Sequence, residues 1–211
     1  MTSGVLLNFV AITWLLAMLP GIGQALMLRQ TLANGPRVAV ATIFGTVTGL
    51  VIWSAAAGAG LAAALLADPA VYRGLLLAGG GVLIVIGLRT ALSAMRHPAE
   101  LSAVSSGGPD IEASGPSAYL AGLATNLGNP KAGAFAVSLL PAFAGGGGFL
   151  PTLGLGILWA TVTACWYLLF AFLVSRGRAF MTRPGAQRGL SGISGLVLVA
   201  IGFCVCAGAG A

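Results

Sequence analysis

Lys131 sits in the run Asn126-x2-Asn129-Pro130-Lys131, with Thr125 beside it, between the charge-free stretches 113–130 and 132–175. An ionisable side chain deep in an apolar span costs at least ~2.5–3.5 kcal/mol on insertion scales. Pro130 removes a backbone N–H and frees the carbonyl four residues earlier, that of Asn126. A matching place lies in the first apolar stretch. There Pro20 frees the carbonyl of Leu16, Gly21 and Gly23 follow, and Thr13 and Gln24 flank the break. A half-helix that starts after such a break points its first amides, and its dipole, at an anion. The amides of residues 21–24 and the ammonium of Lys131 suit a carboxylate. Freed carbonyls with Asn126, Asn129 and Gln24 suit an ammonium. The chemistry is recognition of a small zwitterion, and the expected site residues are Pro20, Gly21, Gln24, Asn126, Asn129, Pro130 and Lys131. The plain alternative is a pair of ordinary proline kinks, with Lys131 a structural lysine donating to carbonyls freed at a break.

The elements that position these residues are membrane helices. The 211 residues hold ten Lys plus Arg and four Asp plus Glu, 7% charged, against about 25% in a soluble domain. The hydrophobic fraction is 58% and the mean hydropathy +1.00. Too little polar surface remains to cover a soluble globule, so a soluble enzyme and a disordered chain are both excluded. The net charge of +6 comes from scattered residues, which makes no phosphate-tracking patch and argues against a nucleic-acid partner. Six spans are expected, at about 5–28, 38–66, 71–94, 118–143, 149–175 and 189–209, with the tetraglycine 145–148 as a loop. The first positive charge is Arg29 and the first apolar stretch is too long for a signal-peptide core, so no cleavable signal is expected. Arg29, Arg37, Arg89, Arg96, Arg176, Arg178, Arg183 and Arg188 fall in alternate connections, and Arg73 stands alone opposite. The positive-inside rule then puts both termini outside the cytoplasm.

The two halves repeat. An offset of 115 lays Pro69-x3-Arg73-Gly74-Leu75 over Pro184-x3-Arg188-Gly189-Leu190, and an offset of 110 lays Pro20 over Pro130. Three helices per repeat force the second copy to enter from the other side. The expected fold is therefore an all-α integral membrane protein of six transmembrane helices, a 3+3 inverted-topology repeat with helices 1 and 4 broken. Residues 1–94 form the first repeat, 95–117 a cytoplasmic linker holding His97, Glu100, Asp110 and Glu112, and 118–211 the second repeat. Gly- or Pro-interrupted spans in corresponding halves point to a transporter binding site. No Asp or Glu falls inside a span, which favours neutral over cationic substrates.

At these residues the chain resembles the lysine exporter (LysE/RhtB) family of bacterial amino-acid efflux transporters, over nearly its whole length. The resemblance is carried by Gly122-x3-Asn126-x2-Asn129-Pro130-Lys131-Ala132, by Phe135, and by Pro141-x-Phe143, with Ala142 where the family has Gln. Pro20-Gly21-Ile22, followed by Gly35-Pro36-Arg37, is similar to the family's Pro-Gly-Pro motif and turn, with Ile22 replacing the second proline. The resemblance implies export of amino acids or close derivatives from the cytoplasm across the inner membrane. It implies proton coupling, no cofactor, and a transporter rather than an enzyme.

Two rival readings have weaker footing. Divalent-metal export, known in related six-helix superfamilies, needs His, Cys or carboxylate ligands, and the one His and every acid lie outside the expected spans. A thiol–disulfide carrier needs a bridgeable pair, whereas Cys204 and Cys206 point about 200° apart on a helix and Cys165 has no counterpart in the first half. A non-transporting scaffold is opposed only by the paired breaks. Trp53, Trp159, Trp166 and Tyr167 are expected to pack, and Gly45-x3-Gly49 to join helices within the chain. Assembly into a homo-oligomer stays open.

Overall fold

The computed structural model describes residues 3–19, 21–67, 69–96, 115–145, 148–176, 192, 196 and 199–207. All regular structure among them is helical. The helices are α1 (Ser3–Met18), α2 (Ile22–Ala67), α3 (Pro69–Arg96), α4 (Gly115–Leu127), α5 (Pro130–Phe143), α6 (Phe149–Arg176) and α7 (199–207). Ile22–Gly60 within α2 and the whole of α6 are long and apolar enough to cross a bilayer. Side chains such as Leu7, Phe44, Leu120, Leu150 and Phe203 are exposed. Apolar exposure on that scale is an aqueous liability and suits a lipid-facing surface.

α2 contains two helical segments joined at a kink. Gly35 has φ 83° and ψ 172°, a conformation closed to residues with a Cβ, and Pro36 opens the second segment. The expected connection between the first two spans was the whole of 29–37. The helix instead runs on to Asn34 and turns at one residue, because Gly35 and Pro36 together suffice to end one helix and start the next. The expected span 118–143 is likewise divided, into α4 and α5. Of the expected linker 95–117, residues 95–96 end α3 and 115–117 start α4, and 97–114 lie outside the described residues, as do the basic residues Arg178, Arg183 and Arg188, the register residues 184–190, and Pro20.

The second segment of α2 is the spine of the molecule. Gly45 and Gly122 let it meet α4 backbone to backbone: a Cβ on Gly45 would overlap the Tyr119 carbonyl, and one on Gly122 the Thr42 carbonyl. The small-residue pair Gly45 and Gly49 therefore packs within the chain. Contact moves from Thr42 against Gly122 to Gly49 against Asn126, so the two helices run in the same direction. On the other flank Gly58 meets Phe149 and Ser54 meets Gly156, which makes α6 antiparallel to α2. α3 packs on α5 through Gly79 and Ser138, and on α7 through Gly80 and Gly202.

Two buried apolar clusters result. One gathers Phe9, Leu16, Leu50, Phe135, Leu140 and Trp159. The other gathers Ala17, Met27, Ile43, Trp166, Tyr167 and Phe170. Trp159 stacks obliquely on Phe135 at 4.6 Å, and Trp166 meets Trp14 edge-on at 5.9 Å. Cys165 and Cys204 face outward, and Cys206 is partly buried against Gly80; all three are free thiols.

Candidate functional site

Both breaks are present. α1 stops at Met18 and α2 starts at Ile22, while α4 stops at Leu127 and α5 starts at Pro130. The second is built by its own sequence. Asn129 is the N-cap, at φ −85° and ψ 107°, and its Oδ1 accepts the Lys131 amide at 3.0 Å. Its carbonyl accepts from the Gly133 amide at 3.1 Å. Pro130 occupies the first helical position, where an N–H is not needed.

The carbonyls freed at the breaks are satisfied from distant helices, as apolar surroundings require. The Asn126 carbonyl accepts from the Asn129 amide at 3.0 Å and from Trp53 Nε1 of α2 at 3.3 Å. The Leu16 carbonyl accepts from the Leu19 amide and from Lys131 Nζ, both at 3.4 Å. Gln24 is buried, and with its carboxamide nitrogen turned towards them it donates to the carbonyls of Met18 and Leu19, each at 3.1 Å. Only the donor end of the amide can serve two carbonyls, which fixes that orientation.

Lys131 thus spans the two breaks. Its ammonium bonds to the end of α1 and lies over the start of α2, where a Cβ on Gly21 would sit 3.7 Å from Nζ. A small cavity of about 30 Å³ opens beside it, bordered by Thr46, Asn126, Trp159, Thr163 and Tyr167 among others. Its walls draw on both apolar clusters, Leu16, Leu50 and Trp159 from one, Ala17 and Tyr167 from the other.

Two residues that line this cavity each carry a buried polar atom without a hydrogen-bond partner: Asn126 Oδ1, which lies against Gly49, and Thr163 Oγ1. Asn126 is 6% and Thr163 5% exposed, so solvent does not satisfy them. Other buried hydroxyls behave differently. Those of Thr13, Thr31, Thr46, Ser54, Ser138 and Thr152 each donate to the carbonyl one turn back. An unsatisfied buried acceptor costs roughly 1–3 kcal/mol. Both residues line the cavity that Lys131 also lines.

Of the residues singled out by sequence, Gly21, Asn126, Asn129 and Lys131 come together at this cavity or its edge. Gln24 serves the first break from the side of α2, and Pro130 is exposed on the far face of the second. Thr163 and Tyr167 of α6 and the hydrogen bond of Trp53 were not foreseen. The Tyr167 hydroxyl fills the space that a side chain on Gly23 would need. A signal for Trp53 did exist: a carbonyl freed at Asn126 must find a donor, and an indole N–H within an apolar span needs an acceptor.

Helices suited to a bilayer, an apolar exterior and a polar centre at two helix breaks define an integral membrane protein of the transport class. Residues 14–208 match the LysE type translocator family, and the chain belongs to that family. It is also similar to the uncharacterized membrane protein YrhP of Bacillus subtilis (strain 168), with 24% identity over 205 residues that cover 94% of this chain and 96% of that protein. No solved structure matches the chain. The family resemblance drawn from Asn126 to Lys131 therefore holds, and with it transport across a membrane.

Proposed function

We propose that the protein exports neutral, zwitterionic amino acids or close derivatives from the cytoplasm by alternating access. The observation that carries this reading is that one small cavity is lined by Lys131, whose ammonium reaches the end of α1, and by Asn126 and Thr163, whose Oδ1 and Oγ1 have no hydrogen-bond partner. In the opened site an α-carboxylate would take Lys131 and the start of α2 at Gly21, and an α-ammonium would donate to Asn126 and Thr163. Asn129, whose carboxamide oxygen caps α5, holds Lys131 in position instead of touching the ammonium. A fixed ammonium in the cavity disfavours a divalent cation, which sets the metal-export reading aside.

The cavity has room for a water or two, not for an amino acid. Binding must therefore open it. A carboxylate is a stronger partner for Lys131 than a carbonyl 3.4 Å away. Substrate entry would exchange the Leu16 carbonyl for the carboxylate and release α1 from α5. In this proposal the six spans form two inverted three-helix repeats in the inner membrane, with both termini outside the cytoplasm, and one repeat rocks against the other. The proton motive force drives the cycle.

The test is efflux from proteoliposomes preloaded with individual amino acids, with and without an imposed proton gradient. Export of neutral amino acids, stimulated by the gradient, is expected. No export of any amino acid in either condition would overturn the reading.

A further inference from the structure

We infer that Tyr167 of α6 is a specificity-determining residue, its hydroxyl being a second donor, beside Lys131, to the carboxylate of the substrate. The inference rests on the reading of the Lys131 cavity as the zwitterion site. It narrows the substrate to a free acid, as against the corresponding amide or ester.

Two glycines locate the hydroxyl. Lys131 Nζ lies 3.7 Å from the place of a Cβ on Gly21, and Tyr167 Oη lies 2.8 Å from the place of a Cβ on Gly23. These glycines flank Ile22, the first residue of α2. An ammonium from α5 and a phenol from α6 therefore stand at the same end of a third helix. The Gly21 carbonyl accepts the Ala25 amide at 2.9 Å, so that end is a formed helical turn. It carries the positive pole of the α2 dipole. None of α2, α5 and α6 contains an Asp or Glu, so these three helices bring no anion of their own to it.

Tyr167 is 7% exposed and lines the same cavity as Lys131. A buried phenol ordinarily finds a hydrogen-bond partner, yet among the described residues this hydroxyl donates to none. Its ring is packed with Ala17, Met27, Trp166 and Phe170, so the hydroxyl is presented from a fixed mount. Thr163 stands one turn earlier on α6 and lines the cavity too, so one helix faces both poles of a zwitterion. A carboxylate has two oxygens and accepts from several donors at once. With one donor it can pivot, and with Lys131 and Tyr167 together it is fixed. A carboxamide would set an NH2 group against one of these donors, and an ester would bring no charge. A site built to hydrogen-bond a group rejects the analogue that lacks it more strongly than an apolar pocket rejects a missing methylene.

The experiment is counterflow of radiolabelled alanine and leucine in proteoliposomes, each challenged with the unlabelled acid or its carboxamide. The wild type should need more carboxamide than acid for half-inhibition. Tyr167→Phe keeps the ring and removes the hydroxyl, and it should lower the carboxamide-to-acid ratio about tenfold, the scale of one hydrogen bond to a charged group. Gly23→Ala reaches the same contact from the other side. Its Cβ would displace the hydroxyl, whereas Tyr167 Cζ stands at 3.7 Å, an ordinary contact. Gly23→Ala should therefore lower the ratio in the wild type and leave it unchanged in Tyr167→Phe. Should Tyr167→Phe fail to purify as a monodisperse protein, Gly23→Ala alone is read the same way. An unchanged ratio in a well-folded Tyr167→Phe protein overturns the inference and leaves Tyr167 as packing. A wild type that takes the carboxamide as readily as the acid also overturns it. In both cases exchange of the acid leaves the proposed function standing, whereas exchange of neither acid removes both.

Discussion

Lys131 Nζ lies 3.4 Å from the carbonyl oxygen of Leu16, a residue 115 positions away in the other half of the chain. The carbonyl is the one left without its helical partner by Pro20, and the lysine is the one placed in the membrane beside Pro130. One side chain therefore ties the two helix breaks together. Asn126 stands in the corresponding position of the second break, its own freed carbonyl held by Trp53. It lines the same cavity as Lys131, and its side-chain oxygen, against Gly49, is left without a partner.

Asn126→Ala separates binding from folding. Because Asn126 Oδ1 makes no hydrogen bond within the protein, its removal should leave thermal stability in detergent within about 1 kcal/mol of the wild type. Loss of a hydrogen bond to a charged group, about 1.5–3 kcal/mol, should raise the half-saturating substrate concentration some ten- to a hundredfold. A large fall in melting temperature with unchanged half-saturation would show a structural role instead.

Asn129→Ala should do the reverse in stability. Loss of the N-cap bond to the Lys131 amide costs about 0.5–2 kcal/mol, and Asn129→Ser should restore most of it. Thermal unfolding of the three proteins checks the order. Equal stability of all three would remove the cap from the account.

Gln24 is the donor that closes the first break, so replacing it by an acceptor should be worse than deleting it. Gln24→Glu, ionised, would face the Met18 and Leu19 carbonyls with negative charge, whereas Gln24→Ala only leaves them unpaired. A protonated carboxyl can donate, so the Gln24→Glu protein should regain stability as pH falls. Melting curves across pH check this, and a Gln24→Glu protein as stable as the wild type at high pH contradicts it.

Gly122→Ala should abolish the close crossing of α2 and α4, because the new Cβ would overlap the Thr42 carbonyl and backbone cannot yield as a flexible side chain can. Overpacking of this kind typically costs 1–3 kcal/mol or more. The expected result is a sharply reduced yield of monodisperse protein on size exclusion, and a normal yield would contradict the crossing.

Much of this arrangement was legible in the chain itself. Pro20 and Pro130 mark the breaks because proline acts on its own helix, and a freed carbonyl can be named by counting back four residues. Gly45 and Gly49 mark a close crossing for a similar reason: only a residue without a Cβ admits another backbone. The partners across the breaks were not legible. Trp53 reaches Asn126 over 73 positions and Lys131 reaches Leu16 over 115. In a soluble helix the polar face would indicate which side looks inward, but these helices are apolar on nearly every side. Thr163 is an example: Thr161, two positions away on the same helix, is exposed and bonded to the Ile157 carbonyl. Only the packing of α6 against α2 shows that Thr163 faces the cavity. Asn129 shows the other limit. Its place at the break was legible, but its role as the cap of α5 shows only in the backbone at φ −85° and ψ 107° and the bond from the Lys131 amide.

The central claim is that Lys131 receives the substrate carboxylate, and counterflow of a radiolabelled neutral amino acid by Lys131→Ala in proteoliposomes tests it most directly. The account predicts a monodisperse variant whose initial exchange rate falls at least about tenfold, the scale of a lost charged hydrogen bond. A well-folded Lys131→Ala protein that exchanges the amino acid at the wild-type rate would contradict it, and would leave Lys131 as no more than the donor that closes the end of α1.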